Sequence, residues 1–136
     1  RDDVESRGLG DVYKRQEKQI GQDIRADFEQ LHFTGGYDHN YVLGRSGEKK
    51  IMANAYCRES GIALEAATDC CGVQFYAGNF IGEQTGKGGA AYHDRSAFCL
   101  ESQFYPNAVN EPDFPSPVVK AGDTYHTETS YQFYLR

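Results

Sequence analysis

Alternation of apolar and polar residues dominates this chain. Over Thr124-Tyr-His-Thr-Glu-Thr-Ser-Tyr-Gln-Phe-Tyr-Leu135, one face takes Tyr125, Thr127, Thr129, Tyr131, Phe133 and Leu135, and the other takes His126, Glu128, Ser130, Gln132 and Tyr134. This period of two predicts a half-buried antiparallel strand. Lys50 to Arg58, Ile62 to Thr68, Val73 to Ala77 and Ala97 to Gln103 also predict strands of ordinary length, separated by Gly, Asp, Asn and Pro. Glu59-Ser-Gly61 predicts a hairpin connection, with glycine supplying the unusual backbone conformation. Only Ala26 to Leu31 hints at helix, and one short turn would satisfy it. Gly82 to Gly89 and Asn107 to Pro117 predict long surface loops near a site. No internal repeat is visible, and the many short strands imply a sandwich-type all-β architecture.

The same alternation nominates chemistry. In Ala97-Phe-Cys-Leu-Glu-Ser-Gln103, residues Cys99, Glu101 and Gln103 share one side, and Phe98, Leu100 and Phe104 form an apolar side fit for burial. Glu101 is thereby offered from a rigid floor, where a carboxylate can act as a base. Alternation alone favours a solvated carboxylate, because charged residues are mostly exposed. Gln74 alternates against Val73 and Phe75; its amide both donates and accepts, which suits a ligand hydroxyl as well as a neighbouring strand. Asp38 follows Gly35-Gly36-Tyr37 at a predicted turn, where an aspartate usually caps local backbone. His39 adjoins it, but adjacent side chains of an extended segment diverge, so His39 reads as structural. His32, His93 and His126 show no metal-ligand spacing, and His126 falls on the polar face of its strand. Gly86-Lys-Gly-Gly89 lacks the full phosphate-loop pattern and a following helix.

Composition narrows the partner. The chain has 136 residues, 39% hydrophobic and 13% aromatic, which suits one globular domain. A net charge of -6 without a basic cluster argues against nucleic acid, whose phosphates demand a positive footprint. An uncharged ligand fits better. Cys57, Cys70, Cys71 and Cys99 lack paired C-x-x-C spacing, so reduced thiols are expected rather than a zinc site or a disulfide framework. No charged-then-apolar leader or long apolar run appears, which makes a cytoplasmic protein without membrane contact the default expectation.

The stretch around Glu101 continues as Phe104-Tyr-Pro-Asn-Ala-Val-Asn-Glu-Pro-Asp-Phe-Pro115, and it strongly resembles the segment of the aldose 1-epimerases, the galactose mutarotase family, that carries their catalytic glutamate. Gly35-Gly-Tyr-Asp-His-Asn-Tyr-Val-Leu43 is similar to the family's substrate-binding aspartate segment. Gly72-Val-Gln-Phe-Tyr-Ala-Gly-Asn-Phe80 is similar to the segment whose glutamine contacts the sugar. The resemblance runs from about Gln19 to Phe133, and three long motifs in order are more specific than any short pattern. It implies part of a large twisted antiparallel β-sandwich, truncated at the N-terminus, and interconversion of the α and β anomers of galactose or glucose with no metal or organic cofactor. Glu101 would be the general base, and Asp38 and Gln74 would bind sugar hydroxyls. The general acid would be a histidine of the half that precedes this stretch, so the stretch alone should be inactive.

Residues 1–16 do not fit the family pattern. Gly8-Leu-Gly-Asp-Val-Tyr-Lys-Arg-Gln16 reads as a sequencing or cloning scar, which leaves 17–136 as the mutarotase-like C-terminal part. Sheet edges and apolar faces left open by missing strands should make the isolated polypeptide poorly soluble. The chain departs from the family at Cys70-Cys71, where a proline commonly precedes Gly72 and would fix the turn before Gln74. Ser102 stands where threonine is more usual. Among Phe75, Tyr76, Phe80, Tyr92 and Tyr105, most should be core, with one or two left to pack on a pyranose. Two rivals remain: a non-catalytic carbohydrate-binding β-sandwich, and an epimerase-like enzyme for phosphorylated hexoses. The latter needs gathered arginines, whereas Arg45, Arg58 and Arg95 are scattered.

Overall fold

Ile62–Thr68 forms a strand over the whole length that its alternation predicts. In the computed structural model, which describes residues 18–136, the elements in chain order are α1 (Ile20–Asp23), α2 (Glu29–Thr34), β1 (Asp38–Val42), β2 (Lys50–Tyr56), β3 (Ile62–Thr68), β4 (Gly72–Tyr76), β5 (Gln84–Thr85), β6 (Ala91–Tyr92), β7 (Cys99–Gln103) and β8 (Thr129–Leu135). The reading of residues 1–16 lies outside the described residues. Two three-stranded sheets carry most of the structure, in the orders β1-β4-β7 and β2-β3-β8, and β5-β6 makes a small hairpin. The described part is all-β apart from two short helices and 3-10 turns.

The residues cluster into two compact units, one running to Tyr41 and taking in Gln74–Glu101, the other comprising Val42–Val73 and Ser102–Arg136. In the first, Ile24, Leu31, Tyr37 and Ala77 are buried together with Phe75 packed against them. Phe75 lies 5.5 Å from Tyr37 and 6.1 Å from Phe98, so these rings make an aromatic floor. Helix α2 starts later than the sequence suggests, because Phe28 is still extended at φ -139°. It stops at Gly35, whose left-handed φ of 65° lets its N–H reach the Leu31 carbonyl.

In the second unit β3 pairs antiparallel with β2 and with β8, Ile62 opposite Leu135 and Thr68 opposite Thr129. The β2-β3 turn closes through the Gly61 N–H to Cys57 and the Cys57 N–H to Ile62, with Gly61 at φ 71°. Ala63, Ala66, Thr68, Cys71 and Val73 are buried, while Phe133 and Leu135 are 68% and 81% exposed. The predicted strand over 124–135 is shortened at its start. Asp69 accepts from Thr127 Oγ1 at 2.6 Å and from the Glu128 N–H at 3.0 Å, and its own N–H goes to the Glu128 carbonyl. A side chain that claims the backbone in this way competes with the ladder. His126 accordingly lies outside any strand, contrary to its expected place on a strand face.

Candidate functional site

The three nominated residues stand on three strands of one sheet. Asp38 opens β1, Gln74 is the middle residue of β4, and Glu101 is the middle residue of β7. The order β1-β4-β7 puts the glutamine on the central strand, between those of the two carboxylates. Asp38 is a strand residue rather than a turn residue, and its carboxylate is engaged by a side chain of the neighbouring strand. Asp38 Oδ1 accepts from Gln74 Nε2 at 2.7 Å, both groups being half-buried. The amide is therefore held by a cross-strand bond even with Cys71 in place of the usual proline. Gly72 opens β4, and Cys71 itself is fully buried with its thiol toward the Gln103 carbonyl.

Glu101 is exposed on β7, as is Cys99, and the side-chain period puts both on one face. Burial pushes the Cys99 thiol up, and the Glu101 charge, a hydrogen bond to the Glu101 carboxylate and the Asp38 charge push it the same way. One thiol thus senses both carboxylates, one from each outer strand of the sheet. Sequence reasoning put Cys99 beside Glu101 but gave no sign of its closeness to Asp38, which depends on strand order. Below the polar side, Phe75 belongs to the core, and Leu100 is half-buried.

His39 serves the scaffold. Its Nδ1 accepts from the Asp38 N–H at 2.9 Å, and its ring stacks on Phe28 and meets the edge of Tyr37. His32 faces Asp27 at 3.5 Å, on an exposed surface. Among the described residues no group of three His, Cys, Asp or Glu could hold a metal ion. No described helix is long and apolar enough to cross a membrane. Of the aromatic candidates, Phe80 is 69% exposed and free of the core, whereas Tyr105 packs edge-on against Phe114.

Comparison with known proteins decides the family. The model of the family "Aldose 1-epimerase" matches residues 2–132. The chain belongs to the aldose 1-epimerase family. Galactose mutarotase of Sus scrofa is 45% identical over 106 residues, covering 77% of this chain and 31% of the relative. Aldose 1-epimerase of Escherichia coli K12 is 34% identical over 122 residues, covering 88% of this chain and 35% of the relative. The crystal structure of an aldose epimerase homologue from C. elegans superposes with a TM-score of 0.60 at 29% identity, over 72% of this chain and 30% of that one. The fold is that of the aldose 1-epimerases, all-β with antiparallel sheets. The chain spans about a third of the length of the relatives it matches.

Proposed function

We propose that the protein carrying this stretch interconverts the α and β anomers of an aldose, galactose or glucose, and that this stretch supplies the base and part of the sugar-binding set. The observation that carries the reading is the cluster on one sheet: a Gln74 amide on the central strand bonded to Asp38 on one neighbour, and an exposed Glu101 on the other. Glu101 takes the proton of the C1 hydroxyl while an acid protonates the ring oxygen, and the C1–O5 bond breaks to give the open-chain aldehyde. Rotation about C1–C2 presents the other carbonyl face, and the same groups run the steps in reverse. Nothing is oxidised or consumed. Asp38 accepts from sugar hydroxyls, and Gln74, fixed by Asp38, orients another. The acid is a histidine from the two-thirds of the family's length that this stretch does not span. The four free thiols suit a reducing compartment such as the cytoplasm.

A positioned base contributes typically ~10^2 to 10^4-fold. Glu101→Gln in the full-length protein should therefore slow anomerisation, followed by polarimetry from pure α-sugar, by about that factor, or roughly 3–5 kcal/mol in barrier. Unchanged anomerisation would remove Glu101 from its role and favour a protein that only binds sugar. A phosphorylated substrate is disfavoured, since it calls for gathered arginines, whereas Arg45, Arg58 and Arg95 belong to separate segments of the chain.

A further inference from the structure

Arg95 combines three features that the sequence does not signal. It holds φ at 66°, in the left-handed region that non-glycine residues seldom adopt. Its N–H donates to the Gly78 carbonyl at 2.7 Å. Its Nη2 donates to the Gly35 carbonyl at 2.5 Å, a charge-assisted bond to backbone. Gly35 ends α2 just ahead of Asp38, Gly78 lies just past the end of β4, and Arg95 leads into β7. One residue thus ties the ends of the three strands that bear Asp38, Gln74 and Glu101.

The surroundings make the tie stiff. Gly78 has φ 66°, and a Cβ there would sit 2.4 Å from the Ala97 carbonyl oxygen, so the exit of β4 lies directly on the approach to β7. Asn79 Nδ2 donates to the Tyr37 carbonyl at 3.0 Å, and the Ala77 N–H donates to the same oxygen at 2.9 Å, locking the exit of β4 to the entry of β1. A Cβ at Gly36 would meet Asn79 Oδ1 at 2.3 Å. The guanidinium closes the remaining side of this triangle, from the entry of β7 to the entry of β1. Residues held in rare backbone conformations persist where the surroundings over-determine them, often beside functional sites.

We infer that Arg95 is a positioning residue that sets the spacing of Asp38, Gln74 and Glu101 by bracing the three strand ends. The inference rests on the proposed role of that cluster and adds a determinant away from the reacting atoms. The test uses Arg95→Gly and Arg95→Lys in the full-length protein. Glycine accepts the left-handed backbone and keeps the N–H to Gly78, so it removes the side-chain bond to Gly35 while leaving the backbone bond in place. Lysine restores a cationic donor on a long stem. Two readouts are followed: kcat/KM by polarimetry, and the pH dependence of Cys99 alkylation, read by mass spectrometry of the Cys99 peptide. The second reports the closeness of Asp38, on β1, to Cys99, on β7, without needing catalysis.

Arg95→Gly should lower kcat/KM about tenfold or more, since misplacement by about 1 Å can cost ~10^2. It should also move Cys99 alkylation to lower pH as the Asp38 carboxylate recedes from β7, and Arg95→Lys should recover part of both. An unmoved Cys99 profile overturns the brace, whether or not activity falls. If the parent protein shows no anomerisation while the profile still shifts in Arg95→Gly, the brace stands and the catalytic reading falls.

Discussion

Gly78→Ala tests whether the packing around the strand ends is as tight as the geometry states. The substitution meets two separate costs. At φ 66° an L-residue is in the left-handed region, a penalty of about 1–2 kcal/mol. The added Cβ would also lie 2.4 Å from the Ala97 carbonyl oxygen and 2.8 Å from Ile81 Cδ1, where real Cβ atoms are not found. The Ile81 tip can swing away, but the Ala97 oxygen is backbone and moves only with the approach to β7. Forcing an extra carbon into such a space costs about 1–3 kcal/mol. The whole effect is therefore about 2–5 kcal/mol. Gly122→Ala is the control, because it has φ 93° and nothing within 4 Å of the new Cβ. It should cost about 1–2 kcal/mol, from the backbone alone. Urea unfolding of both variants in the full-length protein separates the terms, provided that the slope of stability against denaturant stays constant. Equal destabilisation of the two would refute the close approach of β4 and β7 from which the brace at Arg95 is argued.

Thiol chemistry offers a sharper contrast. The exposed Cys57 thiol is pulled down by a hydrogen bond from the Ser60 side chain and by the backbone N–H groups of Ser60 and Glu59, whereas Cys99 is pushed up by burial and its carboxylate neighbours. Because the thiolate is the nucleophile, limited iodoacetamide at neutral pH should label Cys57 before Cys99, and the gap should narrow as pH rises; the reverse order by peptide mapping would contradict the environments described. On the second unit, Ile62, Tyr131, Phe133 and Leu135 share one face of the β2-β3-β8 sheet and are all substantially exposed. The isolated 136-residue polypeptide should self-associate in sedimentation velocity, and Phe133→Lys should reduce this while changing stability by less than about 0.5 kcal/mol. A monodisperse parent chain would show that this face is not adhesive.

The contrast between what the sequence disclosed and what it concealed follows the range of the interactions. Ile62–Thr68 is legible end to end because its pattern is enforced by its own neighbours on both flanks, β2 and β8. Strand β1 is not, since Asp38-His-Asn-Tyr-Val42 begins with residues of low β-propensity. It is drawn into the sheet by contacts distant in sequence, the Gln74 amide on Asp38 and the Asn79 and Ala77 donors on Tyr37. Residues 124–128 failed in the opposite sense, having a strand pattern that Asp69 overrides by taking the Thr127 hydroxyl and the Glu128 N–H.

The candidate site divides along the same line. Alternation shows that Glu101 and Gln74 face away from the apolar rings, but it cannot say which strands become neighbours. Strand order brings the Gln74 amide to Asp38 and makes Cys99 answer to carboxylates on two strands. Arg95 was invisible for a further reason, since a positive φ is read from sequence at Gly, Asn or Asp and has no signature at arginine. In the sequence it is only one of three arginines too scattered to gather around a phosphate. Its significance comes from the two carbonyls it holds, and these belong to segments that only the folded chain brings together. The proposed sugar site, built on short strands in this way, would depend as much on what fixes the strand ends as on the groups that touch the ligand. The Arg95 and Gly78 substitutions probe that dependence from opposite sides, one loosening the ends and the other forcing them apart.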